Sequence, residues 1–146
     1  RFANVYGERQ GEGGEGGVVS IFCKLLAAGK AVTVYGNGEQ TRDFVYAGDV
    51  AAALKAGLLA TGYQTINVAT EYETSVNQLL EAFAEVAEDK IEVRYAAARQ
   101  GDIFRSALSN ARLKTILGVT PQMQLKEGIQ KTYHDYVNRG KQESNE

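Results

Sequence analysis

The chain has no tryptophan, and only one cysteine, one proline, one methionine and one histidine in 146 residues. A single cysteine, Cys23, excludes an internal disulfide and fits a reducing compartment, so a cytoplasmic location is expected. One cysteine and one histidine cannot build a zinc site, and the acids show no calcium-loop spacing. A Ser/His/Asp or Cys/His centre would have to use His134, which falls among tyrosines and reads as structural or exposed. One proline, Pro121, leaves no rigid interdomain spacer. No apolar run approaches the roughly 20 residues of a membrane span, so no membrane partner is expected. Sixteen basic residues against eighteen acidic ones give a net charge of −2, with no basic excess for nucleic acid.

What is present fits one domain. Hydrophobic residues make up 44%, enough for a core at this length. Six of the 16 glycines fall within the first 17 residues. The one methionine is Met123, so the chain opens at Arg1 without an initiator and is expected to be a piece of a longer protein.

Periodicity predicts strands alternating with helices, hence an α/β fold of α+β-like appearance. Arg1–Tyr6 reads as the end of a buried strand and residues 7–17 as a glycine-rich surface loop or ligand flap. Val18, Ile21, Phe22, Leu25 and Leu26 share one helical stripe over 18–28, with Gly29 past its end and Cys23 partly buried beside it. Val32–Tyr35, Thr41–Tyr46 and Thr65–Ala69 read as short strands, and Gly36-Asn37-Gly38 as a turn. Asp49 stands where an N-cap belongs, ahead of a helix closed by Gly62. Ser75 and Gln78 form a capping box that opens the next helix. Ile91–Tyr95 reads as an edge strand, 111–117 as a short helix, 125–139 as a last amphipathic helix and 140–146 as a frayed tail. Residues 1–6 thus close one unit and 7–139 make the main one.

Three polar clusters could carry chemistry. A turn delivers Arg42 onto an apolar strand, Arg99 and Asp102 flank Gly101 in a non-periodic stretch, and Asn4 interrupts a strand-like run. Two loop arginines suit a bidentate grip on a diphosphate, and a carboxylate suits a sugar diol. The alternative is that each arginine pairs with a neighbouring aspartate in a surface salt bridge worth roughly 0–1 kcal/mol.

Several segments resemble the nucleotide-sugar epimerases of the extended short-chain dehydrogenase family, the UDP-glucose 4-epimerases in particular. Arg1-Phe2-Ala3-Asn4-Val5-Tyr6-Gly7-Glu8-Arg9-Gln10 resembles that family's R-x-x-N-x-Y-G-P-R-Q segment. Residues 13–22 resemble the stretch that follows it, and Val34-Tyr35-Gly36-Asn37-Gly38-Glu39-Gln40-Thr41-Arg42-Asp43-Phe44 resembles the one ending R-D-F. Asn67-Val68-Ala69, Arg99-Gln100-Gly101-Asp102, Leu117-Gly118 and Leu125-Lys126-Glu127-Gly128-Ile129 keep the family's order.

The resemblance implies the substrate-binding portion of a Rossmann-type enzyme, likened over nearly the whole chain to about residue 139. The parent would interconvert C4 epimers of a UDP-sugar through a 4-keto intermediate and act as a homodimer. NAD would be bound by an N-terminal part absent from this chain, as would the Tyr-x-x-x-Lys pair, so the 146 residues alone are expected to be inactive. The family's nucleotide contacts carry over to Asn4, Arg42 and Arg99 at the diphosphate and Asp102 at the ribose. Thr33, Val34 and Tyr35 would wall the uracil, Phe44 and Val76 would line the same pocket, and Val18 would sit beside the flap. Departures are Glu8 for the usual proline, Ala47-Gly48-Asp49 at a helix entry and Ala69 for a frequent glycine. The same portion of a nucleotide-sugar dehydratase or decarboxylase, or a non-catalytic binding module, remains the alternative.

Overall fold

The computed structural model describes residues 1–10, 17–87 and 90–143, with side chains to residue 140. Five helices alternate with seven short strands among these residues. In chain order they are β1 Asn4–Tyr6, α1 Val18–Ala27, β2 Val32–Tyr35, β3 Thr41–Arg42, β4 Phe44–Tyr46 and α2 Ala47–Gly57. Then come β5 Thr74–Ser75, α3 Val76–Ala87, β6 Val93–Ala96, β7 Arg105–Ser106, α4 Ala111–Leu117 and α5 Leu125–Glu143. The strands form three small sheets, β1–β4, β2–β6 and β5–β3–β7, parallel except for β3 with β5.

The helices pack through apolar faces, but that of α1 is turned from the expected stripe: Val19, Phe22 and Cys23 are buried, whereas Ile21 is 49% exposed. Helices α1, α3 and α5 bury Phe22, Phe83, Leu79 and Ile129 against Val32 and Val34 of β2, with Tyr6 and Phe44 at the margin. A second cluster joins Val45, Val50, Ala53, Val68 and Leu113. The capping box forms as expected: Gln78 N–H donates to Ser75 Oγ at 3.1 Å, and Ser75 N–H donates to Gln78 Oε1 at 2.9 Å. Gly29 and Gly118 both sit at φ +64° past helix ends.

Other expectations are corrected. Thr41–Tyr46 is two strands, because Asp43 turns inward and the backbone changes partners there. Asp49 is not a cap: α2 begins two residues earlier, and the Asp49 carboxylate accepts from Gln122 and Met123 N–H at 3.0 and 3.1 Å. Helix α2 ends at Gly57 rather than Gly62, and 65–69 contributes only a single bridge, Phe2 with Val68. The first strand starts at Asn4, and β6 lies at 93–96. Helix α5 continues through Gly140 to Glu143, where a frayed tail was expected. Cys23 is fully buried and its thiol is pushed up to about 12 by desolvation, so it is no nucleophile. Phe2, Leu54, Leu58, Leu59 and Tyr63 leave an exposed apolar face around the chain start and the end of α2.

Helix α5 approaches β1 so closely that only glycine fits at the crossing. A Cβ at Gly128 would lie 2.8 Å from Tyr6 Cζ, and closer still to the hydroxyl. Tyr6 is 3% exposed, so its ring has little room to move. Gly→Ala inside a helix ordinarily stabilises by about 1 kcal/mol, whereas overpacking costs about 1–3. Gly128→Ala is therefore expected to destabilise by up to about 2 kcal/mol in urea unfolding. A gain in stability would show that Tyr6 moves aside freely.

Candidate functional site

The strip that carries the polar clusters is built by β3, the 99–103 turn and β7. Thr41 and Arg42 pair in parallel with Arg105 and Ser106, and in antiparallel with Ser75 and Thr74. Gly101, at φ +81°, lets the chain turn so that Asp102 comes under Arg42. Arg42 Nη2 donates to Asp102 Oδ1 at 2.7 Å, and its Nη1 donates to the carbonyls of Thr41 and Ile103. The guanidinium is thus fixed from three sides, with its side chain 20% exposed.

Arg99 takes a different position. Its guanidinium lies over the Tyr35 ring at 3.9 Å, a cation–π stack on the rim of the same turn. Gln40 Nε2 ties Tyr35 to the strip by donating to its carbonyl at 2.8 Å. Neither arginine pairs with the aspartate nearest in sequence. Asp43 is buried, and its carboxylate accepts from Thr70 N–H, Thr70 Oγ1 and Glu71 N–H at 2.9, 2.7 and 3.0 Å. Nor does Asp102 offset Arg99 or Arg105, since its ion pair is with Arg42 and Arg105 pairs with Glu73.

Asn4, Val18 and Phe44 meet at a separate small cavity of about 290 Å³, with Gln10 and Gly17. Asn4 adjoins the strip through the β1–β4 register, Asn4 opposite Phe44, and through its N–H on the Asp43 carbonyl at 2.9 Å. Three residues expected in the uracil pocket are in the core instead, Phe44 among them at 7% exposed. Val34 is 1% exposed and Val76 8%, both packed in the main hydrophobic cluster. Thr33, on the opposite face of β2, is exposed and stands beside Arg94 in register. Of the expected flap over residues 7–17, residues 11–16 lie outside the described residues.

Sequence reasoning missed the acids that build this strip from behind. Glu71 holds a positive φ of 69° and accepts from Ser109 Oγ, Asn110 N–H and Lys114 Nζ, contacts that hold its carboxyl below the usual range. Glu73 accepts from Arg105 and Thr41, which lower it to about 2. A carboxylate with a depressed folded-state pKa contributes stability above its unfolded value and loses it as pH falls through the folded one. Solvent screens this exposed pair, so only a shallow decline in stability is expected between the ordinary glutamate value of 4.5 and about 2. Glu73→Gln should flatten that acid limb in thermal unfolding against pH. An unchanged limb would place the titration elsewhere.

Comparison with known proteins gives this arrangement its context. Residues 1–69 match the profile of the "NAD dependent epimerase/dehydratase family". The UDP-glucose 4-epimerase of Mycolicibacterium smegmatis is 44% identical over 138 residues, covering 94% of this chain and 44% of that protein. The chain belongs to the NAD dependent epimerase/dehydratase family. A UDP-glucose 4-epimerase from Thermotoga maritima, solved with UDP-glucose, superposes with a TM-score of 0.87 at 37% identity, over 97% of this chain and 45% of that one. The Thermus thermophilus UDP-glucose 4-epimerase, solved with NAD, gives 0.84 at 38% identity, over 93% and 45%. The α/β architecture is accordingly that of the Rossmann-type epimerases. The chain spans somewhat under half the length of these relatives.

The G-x-G-x-x-G spacing occurs at Gly11, Gly13 and Gly16. It is set off from β1 by residues 7–10 and carries Glu12 and Glu15, whose charges oppose a pyrophosphate. No tyrosine is followed four positions later by lysine.

Proposed function

We propose that this chain is the nucleotide-sugar-binding portion of an NAD-dependent, UDP-glucose 4-epimerase-like enzyme, and that the strip of Arg42, Asp102, Tyr35 and Arg99 holds the nucleotide. The observation that carries the reading is the Arg42–Asp102 pair, a fixed guanidinium and a carboxylate held 2.7 Å apart on adjacent segments. The guanidinium offers N–H donors to phosphate oxygens, and the carboxylate offers acceptors to neighbouring ribose hydroxyls. Arg99, stacked on Tyr35, adds a second cation and a flat face for a base. Asn4, which adjoins the strip through the β1–β4 register, is assigned to the diphosphate. Such a grip holds the nucleotide and leaves the hexose free to turn, as interconversion of C4 epimers requires. The hydride and proton chemistry is assigned to no residue of this chain, so the purified 146-residue polypeptide should not turn over UDP-galactose.

Calorimetric titration with UDP, UMP and uridine tests the reading. Affinity should fall in that order, with the largest step on losing the second phosphate, and equal affinities would overturn it. Asp102 has its own signature. Losing one hydrogen bond to a charged acceptor costs about 1.5–3 kcal/mol, one to two decades in affinity. UDP should therefore exceed 2′-deoxy-UDP by that margin, and Asp102→Asn should shrink the difference. Equal binding of the two nucleotides to the unaltered chain would leave Asp102 as the partner of Arg42 and nothing more.

A further inference from the structure

We propose that Glu73 is a positioning residue that sets the spacing of Arg42 and Asp102 by clamping the two segments that carry them, an inference that rests on the nucleotide reading of that strip. Three groups fix the Arg42 guanidinium: the Thr41 carbonyl, the Ile103 carbonyl and the Asp102 carboxylate. The first belongs to β3, and the other two to the turn that runs into β7. Glu73 holds both sides at once. Its Oε2 accepts from Thr41 Oγ1 at 2.7 Å and from Arg105 Nε at 2.9 Å, and its Oε1 accepts from Arg105 Nη2 at 2.7 Å.

The fork-to-fork geometry fixes direction as well as distance. Thr41 and Arg105 are also register partners, and Thr41 N–H donates to the Phe104 carbonyl at 2.8 Å. The β3–β7 ladder has only two residue pairs, so the backbone alone defines this spacing weakly. Glu73 immediately precedes β5, the third strand of the same sheet, so a single carboxylate links all three strands. The Arg105 side chain is 71% exposed and that of Glu73 29%, and exposed ion pairs add little to global stability. The work of this clamp is geometric: it decides whether a phosphate grip and a diol acceptor stand at the separation one nucleotide spans.

The test compares Glu73→Gln, Arg105→Glu and the charge-swapped pair Glu73→Arg with Arg105→Glu, in the chain as it stands. UDP affinity is read by calorimetry, exchange of the Thr41 amide and Arg42 guanidinium protons by NMR, and stability by thermal unfolding at pH 7. Glu73→Gln and Arg105→Glu should each weaken UDP about five- to tenfold and speed both exchanges by a similar factor. The unfolding midpoint should hardly move. The swapped pair should recover at least half of the lost affinity. UDP affinity within twofold of the unaltered chain in Glu73→Gln overturns the proposal, as does an affinity loss matched by a large fall in stability. Should the unaltered chain bind no UDP, the nucleotide reading fails separately. The clamp is then decided by proton exchange alone: unchanged Arg42 exchange in Glu73→Gln overturns it, and faster exchange upholds it.

Discussion

Replacing Asp43 with alanine is expected to remove about 3–5 kcal/mol of stability. Asp43 is 3% exposed, and its two oxygens take three donors from Thr70 and Glu71. Alanine leaves two backbone N–H groups without acceptors, at about 1–3 kcal/mol each where water cannot replace them. It also leaves a cavity beside Phe44. The second consequence is local. Glu71 is held at a φ of 69°, which side-chain-bearing residues rarely adopt, and Asp43 is one of the groups holding it there. Without that anchor the 70–73 segment loses its reason to stay folded against β3. A chain of this length has roughly 7–20 kcal/mol in hand at ordinary stabilities. The variant should therefore fold but melt on the order of 10 °C lower. Asp43→Asn keeps the shape and one good acceptor, and should lie between. A loss below about 1 kcal/mol in urea unfolding of Asp43→Ala would show that the segment is held by Glu71 and Glu73 alone.

Why Asp43 looked like a partner for Arg42 bears on what a sequence can show. Adjacent opposite charges suggest a pair, yet consecutive strand residues point to opposite faces. Arg42 and Asp43 therefore cannot both face the ligand strip. The same parity separates Val32 and Val34, which face the core, from Thr33 and Tyr35. Local signals fared better. The Ser75–Gln78 box and Gly118 as a helix terminator are set by neighbours within a few residues, and both appear in the structure. Arg42 and Asp102 stand out separately in the sequence, each in its own polar cluster. Their contact across 60 residues depends on β3 lying beside β7, which no local spacing encodes. Glu73 left no signal at all. Its partners lie 32 residues away in both directions, and an acid in a polar run reads as a solvated loop.

Arg42→Ala should have the largest effect on nucleotide affinity, because that side chain serves two subsites. It offers the charge-assisted bonds a diphosphate needs, worth about 1.5–3 kcal/mol, and it is the ion-pair partner of Asp102, 2.7 Å away. Alanine removes the first and releases the second, so UDP affinity should fall about a hundredfold, or two decades. Uridine binding uses only the Asp102 share and should fall a few-fold. Lysine separates charge from geometry. A single ammonium can approach a phosphate, but it cannot donate to the Thr41 and Ile103 carbonyls and to Asp102 in one plane as the guanidinium does. Arg42→Lys should therefore recover about half of the loss for UDP and little of the loss for uridine. Arg99→Ala provides the contrast. Among the described residues Arg99 is held by its stack on Tyr35, so its loss should weaken UDP about tenfold and leave the preference for ribose over 2′-deoxyribose intact. Equal losses for UDP and uridine in Arg42→Ala would mean that Arg42 only orders Asp102. No loss for either would return the pair to a surface salt bridge and place nucleotide recognition outside this strip.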